Sequence, residues 1–301
     1  MVYLRLLLPL PEAPSDDALA EWEDRLIQTL GDAFGGAAWL SGSGFATWVE
    51  AGALETAEAV RRVAGILGVE PARMAVDDAG GPEDWRKKWR DAFQPIDAGG
   101  FRIVPPWLVD ADAEQHPDAT RRIIIDPGAG FGTGQHETTR LILRAMGNLW
   151  RERAGDFAQR LPRVLDAGSG SGILALASLK LGAARPVAAT EMEADSAGNA
   201  RWNFSLNGFA FDADADYRVT TAIDWEPGSF DVVLCNMLSE QFSPLLADLF
   251  RVLAPGGALL LGGFLDKEEA DVRERVERAG FEPAADCLAE NDWRHLTATR
   301  P

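Results

Sequence analysis

Four short apolar runs, "RVLDAG", "PVAATEM", "DVVLCNM" and "GALLLGGFL", decide what the chain from Phe101 onward can become. Each has the length of a strand, and amphipathic segments of helix length separate them. A strand that is apolar at nearly every position has both faces covered, and strands that alternate with helices build a mostly parallel sheet with helices on both sides. Nearer the end, "FEPAADCLAE" and "WRHLTATR" read as an antiparallel hairpin closing that sheet. Residues 101–301 are therefore expected to be an α/β domain.

The front of the chain follows another order. "VYLRLLLPL" reads as a strand, and "SDDALAEWEDRLIQTLG" as a helix with Ser15 as N-cap and Gly31 at its end. "GAAWLSGSGFATWVEA" predicts two strands around a Gly-Ser turn, "LETAEAVRRVAGILG" a second helix and "ARMAVDD" a last strand. The order β-α-β-β-α-β over 1–78 is that of a small α+β, ferredoxin-like sandwich. It holds no histidine or cysteine, so binding or packing suits it better than chemistry. Between the two parts, 79–100 predict a connector helix. Trp85, Trp89 and Phe93 recur every four residues there, a stripe that docks a helix or walls a groove.

Composition removes several functions. The formal net charge of −18 repels a phosphate backbone, and the densest basic patch, "WRKKWR", is short, so nucleic acid is not an expected partner. A basic protein partner suits such a surface. Cys235 and Cys287 are the only cysteines, which gives neither a disulfide framework nor a four-thiolate metal site. The opening apolar run is too short for a membrane span and lacks a cleavage site, so a cytoplasmic protein with no membrane partner is expected. "DADAD" at 212–216 starts like a calcium loop but lacks the later glycine (Tyr217) and glutamate (Ile223), and reads as a solvated loop.

Two glycine-rich stretches carry the chemistry. "DPGAGFGTGQHETT", 126–139, has four glycines two apart ahead of a helix start. A phosphate loop would need a lysine, and none lies between Lys88 and Lys180. A zinc-protease helix would need a second histidine where Arg140 stands. A lid over an organic cofactor remains. "VLDAGSGSGILAL" is a strand, a glycine turn and a helix, with Gly168, Gly170 and Gly172 after Asp166. Ile173 stands where a dinucleotide turn would need its third glycine. Bare backbone here lets a ligand pass close to the turn. Glu191 ends the next strand, nineteen residues past Gly172, where a carboxylate by itself reads as a solvated helix-start acid or, as in dinucleotide folds, as an acceptor for both hydroxyls of a ribose, with Met192 beside it placed to pack on adenine. Asn236 ends the strand "FDVVLCNM", at the sheet edge where such folds bind ligands. Met237 and Leu238 follow it.

The Asp-x-Gly-x-Gly-x-Gly turn resembles the first motif of class I S-adenosylmethionine methyltransferases. Together with "FGTGQHETT", the acidic end of the second strand and "CNML", it resembles the PrmA family, which methylates bacterial ribosomal large-subunit protein eleven. The resemblance runs from "EDWRKKWRDAFQPI" and "RIVPPW" through "LAPGGALLLGGFL". It implies a class I, Rossmann-like methyltransferase domain and S-adenosylmethionine as cofactor. It also implies a ribosomal protein as partner, whose lysine side chains, and its N-terminal amine, accept the methyl groups. Phe131, Gly132 and Thr139 would then belong to the lid and touch the cofactor. Asp166, Gly168, Gly170, Glu191, Met192 and Asn236 would complete the site. No metal ligand and no general base is expected, and His136 reads as a helix-start residue. The chain departs from the family in carrying glutamate where aspartate is common, and in a longer, tryptophan-rich front region. Rival readings are methylation of another protein or of a small amine, a decayed cofactor-binding adaptor, and a nicotinamide oxidoreductase, the last disfavoured by Ile173.

Overall fold

The computed structural model describes residues 3–8, 34–40, 44–50, 56–77, 93–117, 119–127 and 131–301. The chain divides into two compact units, Met1–Phe93 and Gln94–Pro301. In the first, β1 (Tyr3–Leu8), β2 (Phe34–Leu40), β3 (Gly44–Glu50) and β4 (Ala75–Asp77) form an antiparallel sheet in the order β2-β3-β1-β4. Helix α1 (Thr56–Leu67) links β3 to β4 and buries Ala59, Val63, Ala64, Ile66 and Leu67, an apolar stripe at helical spacing. These strands and α1 fall in segments that the sequence marks as strands and as the second helix. The helix predicted from Ser15 to Gly31 lies outside the described residues, as do Trp85 and Trp89.

The second unit starts earlier than its apolar runs suggest. β5 (Ile96–Ala98), in a segment read as connector, pairs antiparallel with β6 (Phe101–Val104), which pairs parallel with β7 (Arg122–Ile124). Helix α2 (Val109–Gln115) lies between β6 and β7 in sequence. Its buried Asp112 receives Arg102 Nε and Arg122 Nε, each at 2.8 Å, which ties the two strands together.

The main sheet comprises β8 (Val164–Ala167), β9 (Val187–Glu191), β10 (Ala215–Val219), β11 (Phe230–Asn236), β12 (Leu253–Leu265), β13 (Glu282–Pro283), β14 (Leu288–Glu290) and β15 (Trp293–Thr299). Its order is β10-β9-β8-β11-β12-β15-β13, with β14 paired to β15. β8 to β12 run parallel and β15 is antiparallel to each of its neighbours, as the terminal hairpin predicts. Successive side chains of the central strands alternate between two cores. Val164, Val232, Leu234 and Leu260 enter one, and Leu165, Val233, Leu259 and Leu261 the other. This is why the strands read as unbroken apolar runs. Helices α3 (Glu137–Glu152), α4 (Ile173–Lys180) and α5 (Ala194–Leu206) supply residues to the first core. Helices α6 (Leu246–Val252) and α7 (Glu269–Arg278) close the second. Each fully buried Leu or Val contributes about 1.5–3 kcal/mol, so the frame that holds the strand ends is stiff.

The acidic run at 212–216 is not the solvated loop its composition suggests. It forms one helical turn and the start of β10, with Asp212, Asp214 and Asp216 paired to Arg201, Arg185 and Arg218.

Candidate active site

The carboxyl ends of β8, β9 and β11 lie side by side, and the sequence-derived candidates converge there. Three glycines after β8 have φ of 75° (Gly168), 52° (Gly170) and 81° (Gly172), a left-handed region that penalises any side chain. Their neighbours add a second reason. A Cβ on Gly168 would stand 2.7 Å from Met237 Sδ, and one on Gly170 would stand 2.4 Å from the Phe131 carbonyl oxygen. The bareness of Gly170 thus serves the approach of the 131–134 segment. Ser171 locks that approach: its N–H donates to Phe131 O at 2.8 Å and its hydroxyl to Gly132 O at 2.7 Å. Gly132 is itself left-handed at 98°, close against Ser171 and Ile173.

Asp166 is fully buried. Its Oδ2 accepts the Ala175 N–H at 3.0 Å in the first turn of α4, and Oδ1 has no partner among the described residues. Burial pushes its carboxyl up to about 7, and the nearby charge of Glu191 adds to the rise. Ser169 Oγ and the Tyr217 hydroxyl are likewise buried, and Ser169 faces both the Asp166 carboxyl and the Tyr217 phenol. Burial foremost, then the charges of Glu191 and Asp166, push the Tyr217 phenol up. The three side chains form one sealed polar cluster beside the glycine turn.

Glu191 is held by backbone. Its Oε2 accepts Gly170 N–H at 2.8 Å, and its Oε1 accepts Met192 N–H at 2.7 Å and Glu193 N–H at 3.1 Å. A carboxylate has about four lone-pair positions, so Oε2 keeps room for a hydroxyl donor. Met192 is 63% exposed beside it. Asn236, at the end of β11, donates from Nδ2 to the buried Thr139 Oγ1 at 3.3 Å, while its Oδ1 is buried with no partner among the described residues. Phe131, 56% exposed, stands edge-on to His136, with ring centroids 5.5 Å apart, and His136 meets Trp293 in the same way at 5.0 Å. His136 is the N-cap of α3: its Nδ1 accepts Thr138 N–H at 3.3 Å, which supports the helix-start reading.

The structure therefore brings Gly170 to Glu191, Thr139 to Asn236, and Phe131 and Gly132 to the glycine turn. Met192 touches the group through its backbone N–H alone. Ser169, Tyr217 and Trp293 were missed. Tyr217 lies in β10, hidden by the acidic run before it, and Trp293 arrives from the far end of the chain with no local signal. A separate cavity of about 440 Å³, lined by Gly100, Arg102, His116 and Arg121, lies at the other end of β6 and β7 and holds none of these residues. Among the described residues, no three His, Cys, Asp or Glu side chains are grouped to hold a metal ion.

S-adenosylmethionine fits this donor set. Glu191 would supply an acceptor for its ribose hydroxyls and Asp166 a negative charge for its ammonium, directly or through water, while the glycine turn leaves backbone bare and Met192 and Phe131 are exposed beside it. A sheet in this order, antiparallel only toward its last edge, with the glycine turn after one strand and an acid ending the next, defines a class I methyltransferase domain. The family model described as ribosomal protein L11 methyltransferase (PrmA) matches residues 53–301, and the chain belongs to that family. The ribosomal protein L11 methyltransferase of Geobacter sulfurreducens is 39% identical over 216 residues, 71% of this chain and 65% of its own length. That of Geobacter metallireducens is 39% identical over 214 residues, with the same shares. The chain thus matches a little under two thirds of the length of these relatives. The crystal structure of ribosomal protein L11 methylase from Lactobacillus delbrueckii subsp. bulgaricus has a TM-score of 0.58 at 29% identity, covering 69% of this chain and 99% of that one.

Proposed function

We propose that this chain is a cytoplasmic enzyme that transfers methyl groups from S-adenosylmethionine to amines of a ribosomal protein. The acceptors in this reading are lysine side chains, and the N-terminal amine, of large-subunit protein eleven. The observation that carries it is the Asn236–Thr139 pair at the carboxyl end of β11, beside the glycine turn, with Asn236 Oδ1 a buried acceptor that has no partner among the described residues. An amine N–H is the donor such an oxygen lacks.

The cofactor supplies an electrophilic methyl group on a sulfonium. The chain's own residues bind and aim. Glu191 and the glycine turn hold the nucleoside end, and Asp166 offers negative charge to the amino-acid end. Asn236 Oδ1 accepts one amine N–H, which turns the nitrogen lone pair toward the methyl; orienting reactants in this way is worth several kcal/mol of barrier. The amine must be neutral. For a lysine of pKa ~10.4 this costs roughly 4 kcal/mol at pH 7.4, and desolvation reduces the cost without a dedicated base. His136 Nδ1 is engaged with its own helix. Residues 1–78 fit the role of capturing and orienting the protein substrate, and the net charge of −18 favours a basic one. Among the described residues no helix is long and apolar enough to cross a membrane.

The test is to incubate the protein with labelled S-adenosylmethionine and purified large-subunit protein eleven, and to map the label by mass spectrometry. Label on its lysines or N-terminus is the expected result. Binding of the cofactor without transfer to that protein, but with transfer to another one in a cell lysate, would redirect the substrate assignment.

A further inference from the structure

Helix α5 carries an asparagine at every fourth position, Asn199 and Asn203 within it and Asn207 at its C-cap, so the three lie along one face. That face meets the open edge of the chain at 124–126, whose other side β6 covers at Ile124. Asn207 Oδ1 accepts Ile124 N–H at 2.9 Å, and its Nδ2 donates to Ile124 O at 2.7 Å. A primary amide has the donor and acceptor of a peptide group, and here it pairs with the strand edge as a neighbouring strand would. Two residues on, Asn203 Oδ1 accepts Asp126 N–H at 2.8 Å, Asn199 Nδ2 donates to Asp126 O at 3.2 Å, and Trp202 Nε1 donates to Asp126 Oδ2 at 3.0 Å.

Asn203 differs from the other two. It is fully buried, and its Nδ2 donates to Ser171 O at 2.9 Å, inside the glycine turn. Ser171 is the residue that holds Phe131 O and Gly132 O. One amide therefore links the edge at Asp126, the turn that follows β8 and, through Ser171, the 131–132 segment. The helix that carries it begins three residues after Glu191, so both ends of the crevice are referred to a single helix.

We infer that Asn203 is a positioning residue for cofactor capture: it sets the glycine turn and the 131–132 segment against each other, and Asn199, Trp202 and Asn207 fix the edge it bridges to. This rests on reading the crevice as the S-adenosylmethionine site. An amide that merely stabilised the fold would lower melting temperature without changing affinity once folded. Asn203 should change both, and Asn207, which never reaches the turn, only the first.

The experiment compares full-length Asn203→Leu and Asn207→Leu by thermal melting, by calorimetric titration with S-adenosylhomocysteine, and by hydrogen exchange at 169–171 and 131–134. Both variants should melt lower. Asn203→Leu should bind at least about tenfold more weakly and exchange faster at both segments, while Asn207→Leu should stay within about threefold of the unsubstituted protein. Wild-type affinity in a folded Asn203→Leu protein, or equal weakening in both variants, overturns the inference. If Asn203→Leu does not fold, Asn203→Asp replaces it, which keeps the acceptor for Asp126 N–H and removes the donor to Ser171 O. A two- to fivefold weakening is then expected, and unchanged affinity and exchange overturn the inference. If the unsubstituted protein does not bind the ligand, the cofactor reading falls by itself. The exchange comparison without ligand still decides the role of Asn203, since unchanged exchange at 169–171 in its variant refutes the link.

Discussion

Replacing Asp166 by asparagine should make the empty protein more stable above neutral pH and a poorer binder of cofactor. The carboxyl is fully buried, faces no cation and has one oxygen without partner among the described residues, so its charge is costly. Burial, with the charge of Glu191, raises it from 3.8 to about 7. The folded protein therefore holds this proton to about pH 7, while the unfolded chain releases it near 3.8. Between those values the folded state binds more protons, so stability falls as pH rises, by roughly 4 kcal/mol in full at 1.36 kcal/mol per pKa unit. His295 acts in the opposite sense. Burial pushes its imidazole down to about 3, so its contribution to stability grows with pH between about 3 and 6.5. The two trends mask each other in the wild-type curve and separate in a difference. Urea unfolding of both proteins at about pH 5 and about pH 8 should show the stability gap shifting by roughly 2.5 kcal/mol in favour of Asp166→Asn at the higher pH. Parallel pH dependence in the two proteins would refute the reasoning, because it would mean that the carboxylate is already solvated or paired. On the proposed role of Asp166 toward the cofactor's ammonium, loss of its negative charge should weaken binding about tenfold or more at pH 8, since a hydrogen bond to a charged group is worth about 1.5–3 kcal/mol.

Glu191→Ala should weaken S-adenosylmethionine binding about ten- to hundredfold by calorimetry, and unchanged affinity in a folded variant removes Glu191 from the site. Gly170→Ala should loosen the 131–134 segment, because its Cβ would stand 2.4 Å from Phe131 O, a distance backbone must move to relieve. Hydrogen exchange there that matches wild type would make the glycine incidental. Exchange across 131–139 should also slow when cofactor is added, and equal rates with and without it would argue against a lid. His136→Ala should cost about 1 kcal/mol as a lost helix cap, with kcat changed only a few-fold. A kcat loss of a hundredfold or more would give the ring a chemical role. A chain shortened to begin at Gly81 should bind cofactor nearly as well as the whole, while kcat/KM on the protein substrate drops steeply. Full activity would take substrate recognition away from the front residues.

The strands and their ends were legible in the sequence because their signal is local. Val187–Glu191 and Phe230–Asn236 are runs buried on both faces, and the polar residue that ends each marks the sheet edge. The glycine turn was legible because φ near +75° leaves few residues to choose from. Glu191 and Asn236 became candidates from their places at strand ends together with the resemblance of the glycine turn to a methyltransferase motif. What tertiary structure decided are the partners. That Gly170 is bare for the sake of the Phe131 carbonyl, that Asn203 joins Asp126 to Ser171, and that Trp293 stands against His136 are contacts between residues far apart in sequence. So is the raised carboxyl of Asp166. The amino acid is an ordinary acid, and only the sealing of β8 between two cores takes away the water that would keep it charged. Periodicity and turn chemistry report on neighbours within a few residues, whereas burial and the supply of hydrogen-bond partners depend on the closed sheet.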